Sequence, residues 1–282
     1  MYYHVTSTSF SRLRLVVVCA VLLVGAVKEG YGQRVYADST ASEATPILAS
    51  VSNPGNASDN NYSNYSLLNI ISLLGSSYAW QTLFFSYIKL PKPTSPVIIK
   101  FRPPGSLVGL GDGLQASMRL NGTSVGTIYS VNNTLDLLWL LSDGADYEFI
   151  MPSQNNSFNG VRLQLNSILG ITSARLYYVF YITPPQLNSV FRCEGDDGEA
   201  IIENFQSGYT YRLYTTETGG TPIGGTETTT KNLIIPWNPD PNVNYWLEAR
   251  EDDKYPSART KINITVIPQP GKPHLTITDV HN

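Results

Sequence analysis

Short segments of alternating apolar and polar residues, each closed by glycine, proline or an Asn-Gly pair, recur along this chain. They leave little room for any fold but stacked β-sheets. The alternation is plain in Val97-Ile98-Ile99-Lys100-Phe101, in Ser117-Met118-Arg119-Leu120 and in Val161-Arg162-Leu163-Gln164-Leu165. A period of two puts one face of a strand in a core and leaves the other wet. Trp80–Leu90 and Ala174–Ile182 are richer in aromatics and are expected to be central strands. Turn signals separate the segments: Pro91-Lys92-Pro93, Pro103-Pro104-Gly105, Gly111-Asp112-Gly113 and Asn121-Gly122, the last a hairpin signal. Leu67–Leu74 and Leu135–Leu141 read as short helices or apolar loops. With 18 Tyr, 18 Pro and 22 Gly in 282 residues, the chain reads as all-β, a sandwich of many short strands.

The N-terminus has a different character. Arg12 and Arg14 precede an apolar run, Leu15–Val27, and Gly30-Tyr31-Gly32 follows. A basic stretch, a short apolar run and small residues form a signal peptide, with cleavage expected near Gly32/Gln33. The run is shorter than the roughly 20 apolar residues of a spanning helix. No second long apolar segment follows, so the mature chain is not expected to span a membrane. Loss of Arg12, Arg14, Lys28 and Glu29 leaves 16 basic and 21 acidic residues, a net charge of −5. That balance gives no support to nucleic-acid binding. Cys193 alone remains, which excludes an internal disulfide, and it is expected to be a small buried strand residue.

The remaining chain divides in three. Residues 33–183 form the larger β block. Thr183-Pro184-Pro185 marks a boundary, because proline fixes φ and donates no hydrogen bond. Residues 184–267 form a smaller block of the size of an immunoglobulin-like sandwich, without that fold's paired cysteines. Its strands are expected near Val190–Cys193, Ala200–Ile202, Tyr209–Thr215, Asn232–Pro236, Tyr245–Arg250 and Lys261–Ile267. Tyr211, Leu213, Tyr245, Leu247, Ile262 and Ile264 fall at core spacing. Tyr214 and Trp246 are expected to pack across strands, and Arg259 to be solvated or to bond a turn. Residues 268–282 open with a Pro-rich linker and end in one alternating segment, His274–Val280.

Chemistry is scarce. The three histidines, His4, His274 and His281, all lie outside the two blocks. A Ser/His/Asp or Cys/His arrangement therefore has no histidine to use. A carboxylate pair of the glycosidase kind would draw on sparse acids in the larger block, among them Asp112, Asp136, Asp143, Asp146 and Glu148. The most informative loop is Asn53–Ser66 (NPGNASDNNYSNYS), dense in side-chain oxygens and free of Lys and Arg. Such oxygens can wrap a hard cation such as calcium, or satisfy their own backbone in Asx-turns.

Asn56-Ala57-Ser58-Asp59-Asn60-Asn61 followed by Asn64-Tyr65-Ser66 resembles the Asn-Ala-x-Asp-Gly-Asn-x-x-Thr-x-Trp loop of discoidin (coagulation factor 5/8 type C) domains. The resemblance implies a jelly-roll, discoidin-like β-sandwich and a structural calcium held by Asn56, Asp59 and Asn61. Asn60 stands for the family's glycine, Asn64 for its threonine and Ser66 for its tryptophan. Asn60 tolerates the left-handed φ that the glycine serves. A second resemblance covers more of the chain. Gln33–Ala37, Asn53–Ala57 and Trp80–Phe85 are similar to the N-terminal sandwich of large exported surface proteins of Bacteroidetes-type bacteria. Tyr211-x-Leu213-Tyr214, Thr218-Gly219-Gly220-Thr221-Pro222-Ile223, Asn244–Ala249 and Ser257-Ala258-Arg259-Thr260 resemble the Ig-like repeats of such proteins.

These resemblances imply an exported, non-enzymatic binding or adhesion protein at the cell surface. Its partner would be a glycan or a surface protein. Tyr62 and Tyr65 would stack on sugar rings, and Asn61 and Asn64 would hydrogen-bond hydroxyls. A structural spacer with no ligand of its own is the alternative. A polysaccharide-degrading enzyme is a third reading.

Overall fold

The computed structural model describes residues 33–72, 76–103, 113–130, 146–167, 170–240 and 242–268. The signal-like segment 1–32, the segment 135–141 and the C-terminal alternating segment 274–280 lie outside these residues. Eleven strands build the first sandwich: β1 (Arg34–Tyr36), β2 (Ser39–Ala44), β3 (Ala49–Ser52), β4 (Ser66–Ser72), β5 (Ser77–Phe84), β6 (Val97–Arg102), β7 (Leu114–Leu120), β8 (Thr123–Ser130), β9 (Tyr147–Met151), β10 (Gly160–Ser167) and β11 (Gly170–Ile182). One sheet runs β3-β4-β11-β6-β9 with β1 also paired to β11; the other runs β2-β5-β10-β7-β8. The two aromatic-rich segments are interior strands, β5 between β2 and β10 and β11 between β4 and β6.

The inner faces meet in one core. Leu68, Ile70, Val97, Ile99, Phe101, Phe149 and Leu176 come from the first sheet; Ala79, Leu83, Leu114, Met118, Leu163 and Leu165 come from the second, all nearly inaccessible to solvent. Leu67–Leu74, read as helix or apolar loop, instead contains β4, because Leu68 and Ile70 alternate into this core. The hairpin between β7 and β8 forms at Asn121-Gly122 as expected, with φ of 50° and 86° at the two residues. Both central residues of a type I′ turn need positive φ, which Asn and Gly accept most readily.

The outer face of the six-stranded sheet departs from the simple alternation rule. Ile98 was expected to be wet and is fully buried. Its cause is a second core, which Ile98, Tyr178, Phe180 and Ile182 share with Val190, Tyr209, Tyr211 and Tyr255 of the smaller block. A bulge in β11 prepares that face. The pairing with β6 skips Tyr177, so Leu176 faces Phe101 and Tyr178 faces Lys100. Ala174 and Leu176 point inward before the bulge, Val179 and Tyr181 after it. An extra residue shifts the phase of a strand by one. Aromatic side chains on both sides of the shift then fall on the outer face.

The smaller block has eight strands: β12 (Val190–Cys193), β13 (Gly198–Ile201), β14 (Tyr209–Tyr214), β15 (Asn232–Ile235), β16 (Tyr245–Glu251), β17 (Tyr255–Pro256), β18 (Thr260–Ile262) and β19 (Ile264–Ile267). β14, β17 and β18 pair antiparallel to β16, β13 pairs with β15, and β12 runs parallel to β19. Tyr211, Leu213, Tyr245, Leu247 and Ile262 are buried and Ile264 packs against them, as their spacing indicates. Tyr214 and Trp246 face each other across β14 and β16. Cys193 corrects the sequence reading: it is exposed. Val190 and Arg192 take the inward positions of β12, so Phe191 and Cys193 must face out.

Arg259 bonds a turn and is buried rather than solvated. Its Nη1 donates to the carbonyls of Thr216 (2.9 Å) and Gly219 (2.6 Å). Its Nε pairs with Glu248 at 3.2 Å, and its guanidinium lies 3.3 Å from the Tyr214 ring centroid. Glu248 also accepts from Arg250 Nε (2.7 Å) and Tyr214 Oη (3.1 Å). A buried carboxylate is tolerable only when its lone pairs are met in this way.

Polar contacts frame the shared core. Gln33 Nε2 donates to Tyr211 Oη (2.8 Å) and to the Asn204 carbonyl (2.9 Å), and Gln33 N donates to Gln206 Oε1 (3.0 Å). Arg34 pairs with Glu251 at 2.6 Å and stacks on Phe180 and Tyr255. Glu148 accepts from Lys254 Nζ at 2.9 Å and from Tyr255 Oη.

Two outcomes follow for this junction. Phe180 has no solvent exposure, so F180A in urea-induced unfolding is expected to cost about 3–5 kcal/mol; a loss under about 1 kcal/mol would contradict the burial. Burial opposes the Glu148 charge, but the hydrogen bonds from Tyr255 and Lys254 outweigh it and hold the carboxyl below its ordinary 4.5. A lowered folded pKa stabilises the protein above the unfolded value and is lost as pH falls through the folded one. Stability of the native chain should therefore drop below about pH 4.5 more steeply than that of E148Q, measured by thermal melts across pH 3–6.

Candidate functional site

The loop Asn53–Ser66 links β3 to β4. Asn53 takes the left-handed conformation (φ 51°, ψ 51°) and Pro54 begins a 3-10 turn through Ser58. Proline suits that first position because its missing N–H would have no partner there. Ala57 drops into the first core, and the Pro54 carbonyl accepts from the buried Gln81 Nε2 at 2.7 Å. The loop is thus tied to the sandwich from beneath. Asn60 has φ 63°, the conformation expected from its place in the motif.

Hydrogen bonds run within the loop. Asn56 Nδ2 donates to the Tyr65 carbonyl at 3.2 Å. Asp59 Oδ1 accepts from Asn61 N (2.9 Å) and Asp59 Oδ2 from Asn64 Nδ2 (2.8 Å). Asn61 Oδ1 accepts from Ser63 N (3.3 Å) and Ser63 Oγ (2.7 Å). The hydrogen bonds from Asn64 and the Asn61 N–H hold the Asp59 carboxyl below the usual carboxylate range. Asx-turns of this kind order a loop without help from secondary structure. Asn56, Asp59 and Asn61 bring one carboxylate and two amide oxygens, which is donor chemistry suited to calcium. Asn64 Oδ1 is a further oxygen, buried and without a hydrogen-bond partner. Among the described residues, no three of His, Cys, Asp and Glu gather as a metal cluster.

The two tyrosines go to different seats on the six-stranded sheet. Tyr62 stacks on Tyr36, with ring centroids 4.3 Å apart and planes at 23°, and meets Tyr178 edge-on at 5.6 Å. Tyr62 nevertheless stays 46% exposed. Tyr65 meets Tyr177 edge-on at 5.6 Å, and the Arg175 guanidinium lies 4.4 Å from its ring centroid. Asn61 is exposed and Asn64 half-buried. Tyr36, Tyr177, Tyr178 and Arg175, which seat these rings, were not singled out from the sequence. The adjacent aromatics in Ala174–Ile182 were the available signal, but only the bulge places them under the loop.

The acids of the first block that the structure describes have partners. Asp146 Oδ1 pairs with Arg102 at 2.6 Å and accepts from Tyr177 Oη at 3.0 Å, while Glu148 is engaged by Lys254 and Tyr255. Asp112, Asp136 and Asp143 lie outside the described residues. In the smaller block a groove of about 570 Å³ lies beside Trp237, Asp240, Lys261 and Asn263. Arg192 lies against the Trp237 ring, 4.7 Å from its centroid, at this groove's wall. No described helix is long and apolar enough to cross a membrane.

Comparison with curated proteins returned no match. Among solved structures, the chain is similar to a beta-1,2-glucanase from Parabacteroides distasonis, at 11% identity and a TM-score of 0.36, over 86% of this chain and 37% of that one. It is also similar to the tailspike protein 4 of bacteriophage CBA120 (12% identity, TM-score 0.30, 51% and 19% covered) and to a Bacteroides uniformis beta-glucuronidase (10%, 0.22, 79% and 32%). The chain spans less than two fifths of each of these proteins. Residues 183–268 match the family model described as "Ig-like domain CHU_C associated". The smaller block, with its parallel β12–β19 pair and its β14-β16-β18 sheet, is an Ig-like domain.

Proposed function

We propose that this chain is an exported, non-enzymatic cell-surface binding protein, in which a discoidin-like sandwich recognises a glycan or another surface ligand and the Ig-like domain carries it. The observation that carries this reading is Tyr62, nearly half exposed on a loop whose other groups are held by their own hydrogen bonds. An aromatic ring fixed before binding loses little entropy when a sugar stacks on it. Asn61 and Asn64 stand on either side of Tyr62 and Ser63 in sequence and supply amides for hydroxyls. Tyr65, lying under Arg175, supports the loop and offers its edge. Calcium belongs to this reading as a structural ion held by Asn56, Asp59 and Asn61. It would supply positive charge where the loop gathers oxygens. The Ig-like match at 183–268 supports a place at the cell surface, in keeping with the resemblance of both blocks to exported surface proteins.

The shared core favours a second reading, a spacer that presents a neighbouring module, because a junction buried on both sides transmits orientation. A glycan array with the full chain separates the two. Retention of a glycan, lost about tenfold in Y62A, supports the binding reading, since aromatic contacts of this kind contribute on the order of 1 kcal/mol or more. No retention with or without calcium supports the spacer. For the ion, millimolar calcium is expected to raise the melting temperature of the native chain and leave that of D59A unchanged; equal behaviour of the two would remove calcium from the account. Release of reducing ends from plant or algal polysaccharides would overturn the non-enzymatic reading.

A further inference from the structure

The five-stranded sheet turns one face into the core and the other outward, and the outward face is not an ordinary polar surface. Register places Glu43, Trp80, Gln164 and Gln115 in one row across β2, β5, β10 and β7. Thr82, Arg162 and Ser117 form the next row, and Phe84, Gly160 and Arg119 the third. A Cβ on Gly160 would come within 2.6 Å of Phe84 Cδ1, so the phenyl ring lies across the glycine. Trp80 and Phe84 thereby make an aromatic floor on either side of Thr82.

Two cations stand on this floor. The Arg162 guanidinium lies over the Trp80 ring, 3.5 Å from its centroid, and its Nε donates to Thr82 Oγ1 at 2.9 Å. Arg119 Nε donates to Ser117 Oγ at 3.1 Å and its Nη1 to the Gly122 carbonyl at 3.4 Å. Among the described residues neither makes an ion pair, whereas Arg34, Arg102, Arg212, Arg250 and Arg259 each do. Glu43 is the carboxylate of these rows, and it accepts from Tyr78 Oη at 2.7 Å. Burial and the charge of Arg119 push the Arg162 guanidinium down to about 10, against a smaller opposing effect of Glu43. In a chain of net charge −3, two half-buried guanidiniums without acids are held at a cost that an anionic ligand would relieve.

We propose that this outward face binds an acidic polysaccharide, with its carboxylates or sulfates on Arg162 and Arg119 and its sugar rings packed along the stacked Arg162–Trp80 pair and Phe84. Planar guanidinium groups match both anions in two-point geometry. The extended row of glutamines and hydroxyls suits a linear chain of sugars lying along the sheet. The site is separate from the loop of the proposed function, whose tyrosines pack on the other sheet.

Isothermal titration of the full chain against polygalacturonate, chondroitin sulfate and hydroxyethyl cellulose tests this. Binding to one or both acidic polymers is expected, and the two arms separate carboxylate from sulfate. Binding should weaken as salt rises from about 0.05 to 0.5 M. R162A is expected to weaken it about tenfold or more, and R162K to fall between, because lysine keeps the charge and loses the flat stack. Y62A should bind as the native chain does, so a failure of the loop reading leaves this result standing. No binding to either acidic polymer, equal binding to the neutral one, unchanged binding by R162A, or loss in Y62A would each overturn the proposal.

Discussion

The burial of the outer face of the six-stranded sheet against the Ig-like domain governs this structure. A β-sandwich is complete once its two inner faces meet, and its outer faces are normally wet. Here Ile98, Tyr178, Phe180 and Ile182 leave that rule and enter a core with Tyr209, Tyr211, Tyr255 and Val190. Ordered polar contacts close its rim: Gln33 on Tyr211, Arg34 on Glu251, and Lys254 and Tyr255 on Glu148. Each is at least part-buried, where ion pairs and hydrogen bonds are less screened than at the surface. The β1 strand takes part in both units, since it pairs with β11 while Gln33 and Arg34 reach the Ig-like domain.

The same face also seats the loop. Tyr36 and Tyr178 belong to the apolar surface beside the shared core and carry Tyr62; Tyr177 carries Tyr65. The loop's internal Asx-turns and its anchor on Gln81 hold it by the chain's own groups. Rigid presentation of a loop and rigid attachment of the Ig-like domain are therefore consequences of one surface. The five-stranded sheet faces away from this arrangement and keeps its own outward residues free for other work.

Much of this was legible in the sequence where a residue's role is local. Asn121-Gly122 requires positive φ at two successive positions and so forms its turn wherever the strands pair. Asn60 takes the left-handed conformation for the same reason. Strand phase in β10 and β14 follows the alternation, because Val161, Leu163 and Leu165 in one and Tyr209, Tyr211 and Leu213 in the other mark a single buried face, whereas β5 turns Trp80 and Phe84 away from the first core. Ile98 is buried by partners distant in sequence, those of the Ig-like domain, while Cys193 is turned out by the inward phase of Val190 and Arg192 in its own strand. Arg259 bonds the Thr216–Gly219 turn as expected, but its burial depends on Glu248 and Tyr214, which its own position in the sequence does not indicate. The aromatic seat of the loop was hidden by the bulge at Tyr177, which no period-two reading foresees. Leu67–Leu74 misled because its apolar residues are continuous at Leu67-Leu68 and Ile70-Ile71, a pattern that a buried strand and a short helix share.

If the two sandwiches are joined through a common core, they must lose their structure together. Differential scanning calorimetry of the full chain measures this most directly. The account predicts one transition, with the calorimetric enthalpy equal to the van't Hoff enthalpy. Two separated transitions, each with its own enthalpy, would contradict it.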